Sequence, residues 1–304
     1  MRDNRIAPLG VGRLCRLFGK SRQAFYQREQ YLAEQASEGM LVLDLVAAIR
    51  REIPGLGTHK LYRLLESSLR SSGIKMGRDK LHKLLAAHNQ LIRRKRLAPK
   101  TTNSNHWLKK YPNLTKDLEI MRTESVWVCD LTYICVGHDF NYLSLITDAH
   151  SRMIVGYCLH PFLTTDGCMK ALEMAIGSRT KMGEALVHHS DRGTQYCSFQ
   201  YVSRLKAAGI AISMTENGDP YENAIAERVN GILKADFKLD RVFRSHAEAL
   251  IATNAAIRAY NTLRPHMSCD YLTPSAAHQL DGPMRRHWKK KKISGKEAVE
   301  AGGD

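Results

Sequence analysis

The sequence predicts an α/β protein: a mixed five-stranded sheet with flanking helices, preceded by an all-α helix-turn-helix region. Three observations carry this. From Ser125 onward, short apolar runs alternate with helical patterns in the order βββαβαβα, which builds a mixed sheet with helices on it. Before that point, residues 1–92 show helical periodicity punctuated by Gly and Pro. The charge is also divided. Residues 1–115 carry a net +15, residues 116–284 a net −3 and residues 285–304 a net +4, within a total of +16. A basic region suited to phosphate backbones thus stands beside a slightly acidic core.

Several classes are excluded early. No apolar run approaches a membrane span, since residues 41–49 are broken by Asp44. The start, Met1-Arg2-Asp3-Asn4, leads into no apolar segment, so no signal peptide is expected. Seven cysteines lie scattered without a Cys-x-x-Cys pair, which points to reduced thiols in the cytoplasm.

In chain order, residues 9–30 predict a small helix-turn-helix. Leu14, Leu17 and Phe18 form the inner face of its first helix, Gly19 breaks it, and Ser21 caps a second helix carrying Arg22, Gln23, Phe25 and Tyr26. Residues 31–49 read as a separate helix. A second helix-turn-helix-like unit spans 56–92. Thr58 caps its first helix, with Leu61, Leu64 and Leu65 inside; Leu81, Leu84 and Leu85 line the next, and Arg78, Lys80, His82 and Lys83 face outward. Arg93, Arg94, Lys95 and Arg96 open a basic linker over 93–120, suited to phosphate contact. A core follows at 121–284, and a basic tail at 285–304. Within the core, Gly137-His138-Asp139 is a hairpin turn. Thr164 and Asp166 open a helix, Phe199, Val202 and Leu205 are the inner face of another, and Ser245-x-x-Glu248 is a capping box for the last long one.

Three carboxylates stand out. Asp130 shares a strand face with Val126 and Val128, and a lone buried carboxylate is costly unless paired or metal-bound. Asp191 follows a buried strand ending in His188-His189-Ser190, and Glu227 sits in a helix after a Gly-Asp-Pro turn. Thirty-five residues, 192–226, lie between the last two. Three such hard oxygen donors at one end of a sheet suit Mg²⁺ or Mn²⁺, and two such ions serve in-line displacement at phosphorus.

The residues around these acids extend the pattern. They read Trp127-x-x-Asp130-Leu131-Thr132-Tyr133, Asp148-x-x-Ser151-Arg152, His189-Ser190-Asp191-Arg192-Gly193-Thr194-Gln195-Tyr196 and Asn223-Ala224-x-Ala226-Glu227. Together with Tyr260-Asn261-x-x-Arg264-Pro265-His266 and Thr273-Pro274, they resemble the DDE transposases with an integrase core, in particular the larger reading frame of the IS-three group of bacterial insertion sequences. The resemblance spans nearly the whole chain. It implies a ribonuclease-H-like core and a metal-binding catalytic triad of Asp130, Asp191 and Glu227. The implied reaction is cleavage at element ends and transfer of a 3′-hydroxyl onto a target phosphodiester. It also implies two Mg²⁺ or Mn²⁺ ions, action as a homo-oligomer on DNA near the bacterial nucleoid, and a candidate partner from a small upstream helix-turn-helix frame. Lys234, two turns after Glu227, is implied to hold DNA. Asn223, Arg192, Gln195, Arg264 and His266 are further expected DNA contacts within the matched motifs, with Arg22, Gln23, Lys80 and Lys83 in the helical region. In one departure, Glu222 stands where the family has Asp. Its distance from Asp191 and its helical phase leave Glu227 as the acid.

Simpler roles suit several other residues of these motifs. Asp148 suits a turn or an ion pair. His188, His189 and Asp191 lack a further zinc ligand at suitable spacing. Cys129 and Trp127 project to the opposite strand face, as core. Two other functions are compatible with the same residues: a nuclease that hydrolyses without strand transfer, and a non-catalytic DNA-binding regulator using only the helical region.

Overall fold

Gly19, at φ +62°, stops the first helix, α1 (Val11–Leu17). Ser21 then caps α2 (Arg22–Glu52), its Oγ accepting the Ala24 N–H at 3.0 Å. The structure, a computed structural model, describes residues 10–92, 108–116, 118–216, 223–285 and 287. It divides into two compact units, Met1–Arg93 and Arg94–Asp304.

In the first unit the helix-turn-helix expected at 9–30 has its first helix, its Gly19 break and its Ser21 cap, but its second helix does not end near residue 30. Residues 22–38 contain no Gly or Pro, so nothing breaks the helix at residue 31 and α2 runs unbroken through 31 residues. Leu17 and Phe18, expected inside, are 74% and 72% exposed. The packed part lies further on. There α3 (Thr58–Ser71) and α4 (Arg78–Ala87) bury Leu61, Leu65, Leu69, Leu81 and Leu85 with Val42 and Val46 of α2. Gly57, not Thr58, is the N-cap of α3. Leu64 and Leu84 are only half-buried, while Lys80, His82 and Lys83 face solvent as expected.

The second unit holds a five-stranded sheet in the order β3-β2-β1-β4-β5. Its strands are β1 (Val126–Val136), β2 (Asp139–Asp148), β3 (Ile154–His160), β4 (Val187–Ser190) and β5 (Ala211–Met214). β1, β2 and β3 are antiparallel neighbours, whereas β1, β4 and β5 run parallel. Gly137, at φ +60°, turns the β1–β2 hairpin. The helices are α5 (Thr165–Ser178), α6 (Thr194–Cys197), α7 (Phe199–Ala207), α8 (Ala224–Asp236), α9 (His246–Thr262) and α10 (Pro274–Ala277). This is the mixed sheet that the strand and helix patterns predict, in the ribonuclease-H-like form that the resemblance implies.

Alternation along β1 assigns its two faces. Trp127 and Cys129 are fully buried in a core shared with α5 and α7, while Val126 and Val128 pack with Ala149 and Ala226 on the other side. Two local expectations change. Phe199 is 85% exposed and Tyr201 fills the core in its place. The described part of the expected linker, from residue 108, lies against the sheet: Leu108 and Tyr111 pack on the core, and Pro112 O accepts the Met214 N–H at 3.3 Å. An open strand edge and two apolar side chains give that segment something to cover.

Close packing of β3 on α5 depends on Gly156. A Cβ there would stand 2.1 Å from Ala171 O and 3.0 Å from Ala175 N, both backbone atoms that cannot step aside. Gly156→Ala is therefore expected to destabilise the second unit by about 3 kcal/mol or more. Urea unfolding measures this, and a midpoint equal to that of the parent would contradict the packing.

Candidate active site

The two aspartates are placed by strand register. Val128 of β1 pairs with His189 of β4, and Asp130 and Asp191 each follow two residues beyond that pair. Glu227 stands in the first turn of α8. Ala226 sets that helix on Val126 and Val128. Two amides pin it further. Asn223 Nδ2 donates to Cys129 O at 2.9 Å, and Asn230 Nδ2 donates to Asp130 Oδ2 at 2.8 Å. Asn230 is a site residue that motif reading missed. Its signal was position, three residues after Glu227 and so on the same helical face.

The acids share one electrostatic field. Asp130 is pushed from the usual 3.8 up to about 7, first by burial, then by the negative charge of Asp191, with Glu227 adding to it. Hydrogen bonds from Leu131 N–H and Asn230 oppose the shift. Asp191 Oδ1 accepts the Gly193 N–H at 3.0 Å, and a Cβ on Gly193 would crowd that same oxygen. Lys234 is half-buried; burial lowers its pKa, and the charge of Asp130 is among those that oppose the fall. Its ammonium thus belongs to the same neighbourhood. Among the described residues, no three His, Cys, Asp or Glu side chains stand close enough to hold one ion. In donor chemistry, however, the trio fits a hard divalent cation, because the negative charges of Asp191 and Glu227 that raise the proton affinity of Asp130 would be relieved by one.

The neighbouring histidines belong to the core. His188 Nε2 lies 2.8 Å from Cys129 Sγ and 2.9 Å from Tyr201 OH, and burial holds its pKa down at about 3. His189 Nδ1 meets Ser213 Oγ at 2.8 Å on the opposite face. Asp148 is a turn residue, as expected. Fully buried, it accepts the N–H groups of Glu124, His150 and Ser151 and the Ser151 hydroxyl.

Several expected DNA contacts are placed otherwise. Arg264 is 1% exposed, paired with Asp236 at 2.8 Å, and lies near the Tyr260 ring, so its guanidinium braces the core and offers nothing to a phosphate. His266 is buried with its ring edge-on to Tyr260. Asn223, also buried, supports α8 and does not face solvent. Arg192 and Gln195 stay beside Asp191, partly buried. Arg22, Gln23, Lys80 and Lys83 are exposed in the first unit, where His59, Tyr62, Arg63, Lys75, Arg78 and Lys80 line a concavity of about 520 Å³. Arg93, Arg94, Lys95 and Arg96 lie outside the described residues, as does Glu222.

Because Asp130 binds its proton more tightly folded than unfolded, stability contributed by that proton is present below the ordinary carboxylate pKa. It is lost as pH rises from about 4 through about 7. Urea unfolding in chelator, compared between the parent and Asp130→Asn, is expected to show this loss, a few kcal/mol in size, only in the parent. Parallel pH profiles for the two proteins would contradict it.

Comparison with known proteins sets this chain in a family. Two family models described as integrase core domain match residues 122–220 and 208–274. The insertion element IS600 uncharacterized 31 kDa protein of Shigella sonnei is 34% identical over 86% of this chain and 96% of its own length. The transposase for insertion sequence element IS629, also of Shigella sonnei, is 30% identical over 89% of this chain and 92% of its own. Transposase InsF for insertion sequence IS3A of Escherichia coli K12 is 32% identical over 53% of this chain and 56% of its own. Among solved structures, the HTLV-2 integrase catalytic core domain in complex with magnesium is similar at 20% identity and a TM-score of 0.43, over 53% of this chain and 99% of that one. With relatives this similar over most of its length, the chain belongs to the DDE transposases of bacterial insertion sequences, those of the IS-three group that carry an integrase core.

Proposed function

We propose that this DDE transposase cuts the ends of an insertion sequence and joins the freed 3′-hydroxyl to a target phosphodiester, with Asp130, Asp191 and Glu227 as the catalytic centre. What supports this is that the charges of Asp191, just after β4, and of Glu227, in the first turn of α8, both bear on the buried carboxyl of Asp130 in β1. Their carboxylates would hold Mg²⁺ or Mn²⁺, in two ions. Such ions, when bound, activate an attacking oxygen and stabilise a leaving one at phosphorus. The remaining work falls to side chains. Asn230 orients the Asp130 carboxylate through its 2.8 Å hydrogen bond. Lys234, next to the acids, holds a DNA phosphate against them. The exposed Lys80 and Lys83 of α4, with Arg22 and Gln23 of α2, take up DNA in the first unit, and the clustered cations at 93–96 extend that contact. The net +15 of residues 1–115 supports this division of labour.

DNA ends and target DNA are the proposed partners, bound by more than one copy of the chain, with the product of a small upstream frame as a further candidate. No helix among the described residues is long and apolar enough to cross a membrane.

The experiment is an end-cleavage and strand-transfer assay with Mg²⁺ on duplexes carrying the element's terminal repeats. Asp130→Asn, Asp191→Asn and Glu227→Gln are each expected to reduce product by at least about 10³-fold while leaving duplex affinity within about twofold, since each removes an acid and no cation. Cleaved but unjoined product from the parent would favour a nuclease. Full product from Glu227→Gln would remove that acid from the mechanism, and no product from the parent, with duplex affinity unchanged by Glu227→Gln, would leave a DNA-binding regulator.

A further inference from the structure

The segment 108–116 carries two lysines to the acid end of the sheet. Its hydrogen bonds fix its course. Pro112 O accepts the Met214 N–H, Leu114 N–H donates to Ser213 Oγ at 2.8 Å, and Thr115 Oγ1 lies 3.4 Å from His189 Nδ1. As residue number rises, the segment thus moves down β5 and away from the sheet's end. Residues before Pro112 therefore stand beyond Met214. Met214 is the register partner of Ser190, the residue immediately before Asp191. Leu108 and Tyr111 pack on the core on either side of Lys109 and Lys110, which remain exposed. Lys109 Nζ sits 5.5 Å from the centre of the Tyr111 ring. The two ammonium groups are consequently carried on an anchored backbone.

We propose that Lys109 and Lys110, together with Arg192, form a phosphate-holding rim on the Asp191 side of the active site, which grips the backbone of duplex DNA without reading its sequence. The inference rests on the reading of DNA as substrate. The need for such a rim follows from charge. Three acids repel a phosphodiester, so cations close to them must compensate for the approach of a polyanion. Lys234 of α8 lies near Asp130, and Asp191 needs cations of its own. The Cys197 thiol in α6 gives independent support. Burial raises its pKa and the charge of Asp191 adds to that, while Lys110 and Arg192 oppose it, so Asp191, Lys110 and Arg192 all lie within electrostatic reach of one thiol. A pair of merely solvated lysines would need no anchors on both sides.

The test uses the full chain, a fluorescent duplex carrying a terminal repeat, a scrambled duplex of equal length, and chelator in place of metal. Lys109→Ala/Lys110→Ala is expected to weaken binding roughly tenfold near 0.1 M salt and to lower the slope of log affinity against log salt by about 2, equally on both duplexes. Lys109→Arg/Lys110→Arg is expected to bind like the parent. So is Lys206→Ala, at the far end of α7. An alanine pair with parental affinity and slope would overturn the inference, as would an arginine pair that loses as much as the alanine pair. A parent chain with no affinity for duplex would overturn the DNA reading as well; normal parental affinity with an unchanged alanine pair overturns this inference alone.

Discussion

Carboxylates of like charge stay together only where packing holds them against their repulsion. The rise of Asp130 to about 7, from burial first and then from the charges of Asp191 and Glu227, corresponds to a few kcal/mol against its ionised form. Each fully buried aliphatic side chain contributes roughly 1.5–3 kcal/mol. Val126 and Val128, packed with Ala226 of α8, are at or below 5% exposure, so hydrophobic burial there is of the same size as that cost. Asn223 and Asn230 add direction to that adhesion by fixing α8 on both sides of Asp130.

The C-terminal signature belongs to the same support. Asn261 exchanges two hydrogen bonds with the backbone of Ile154, at 3.0 and 2.9 Å, and so ties α9 to the start of β3. Arg264 holds Asp236, the last residue of α8. The helix that carries Glu227 is thus braced at its far end by a buried ion pair. Removing one partner of such a pair would leave an uncompensated charge in the core. Residues that read as candidate DNA contacts therefore serve the site from behind.

Much of this was legible before coordinates. The succession of strands and helices along the chain, the Gly137 turn and the Ser21 and Ser245 caps follow from local chemistry that the backbone must satisfy. The acids stood out because an acid in a buried strand needs a reason. What was not legible depended on tertiary partners. Nothing in the periodicity of residues 9–30 shows whether a second surface covers Leu17 and Phe18. Nor does a basic residue in a motif reveal an aspartate 28 positions earlier, as with Arg264 and Asp236. The segment 108–116 read as a linker because its anchors, β5 and Ser213, come about a hundred residues later.

The account's central claim is that the acids at 130, 191 and 227 serve one bound cation centre. Anomalous diffraction from crystals of the full chain soaked in Mn²⁺ tests it most directly. The account predicts a manganese peak within coordinating distance of the Asp130 and Asp191 oxygens, absent in Asp130→Asn. Manganese bound elsewhere, or no peak beside Asp130 at saturating Mn²⁺, would contradict it.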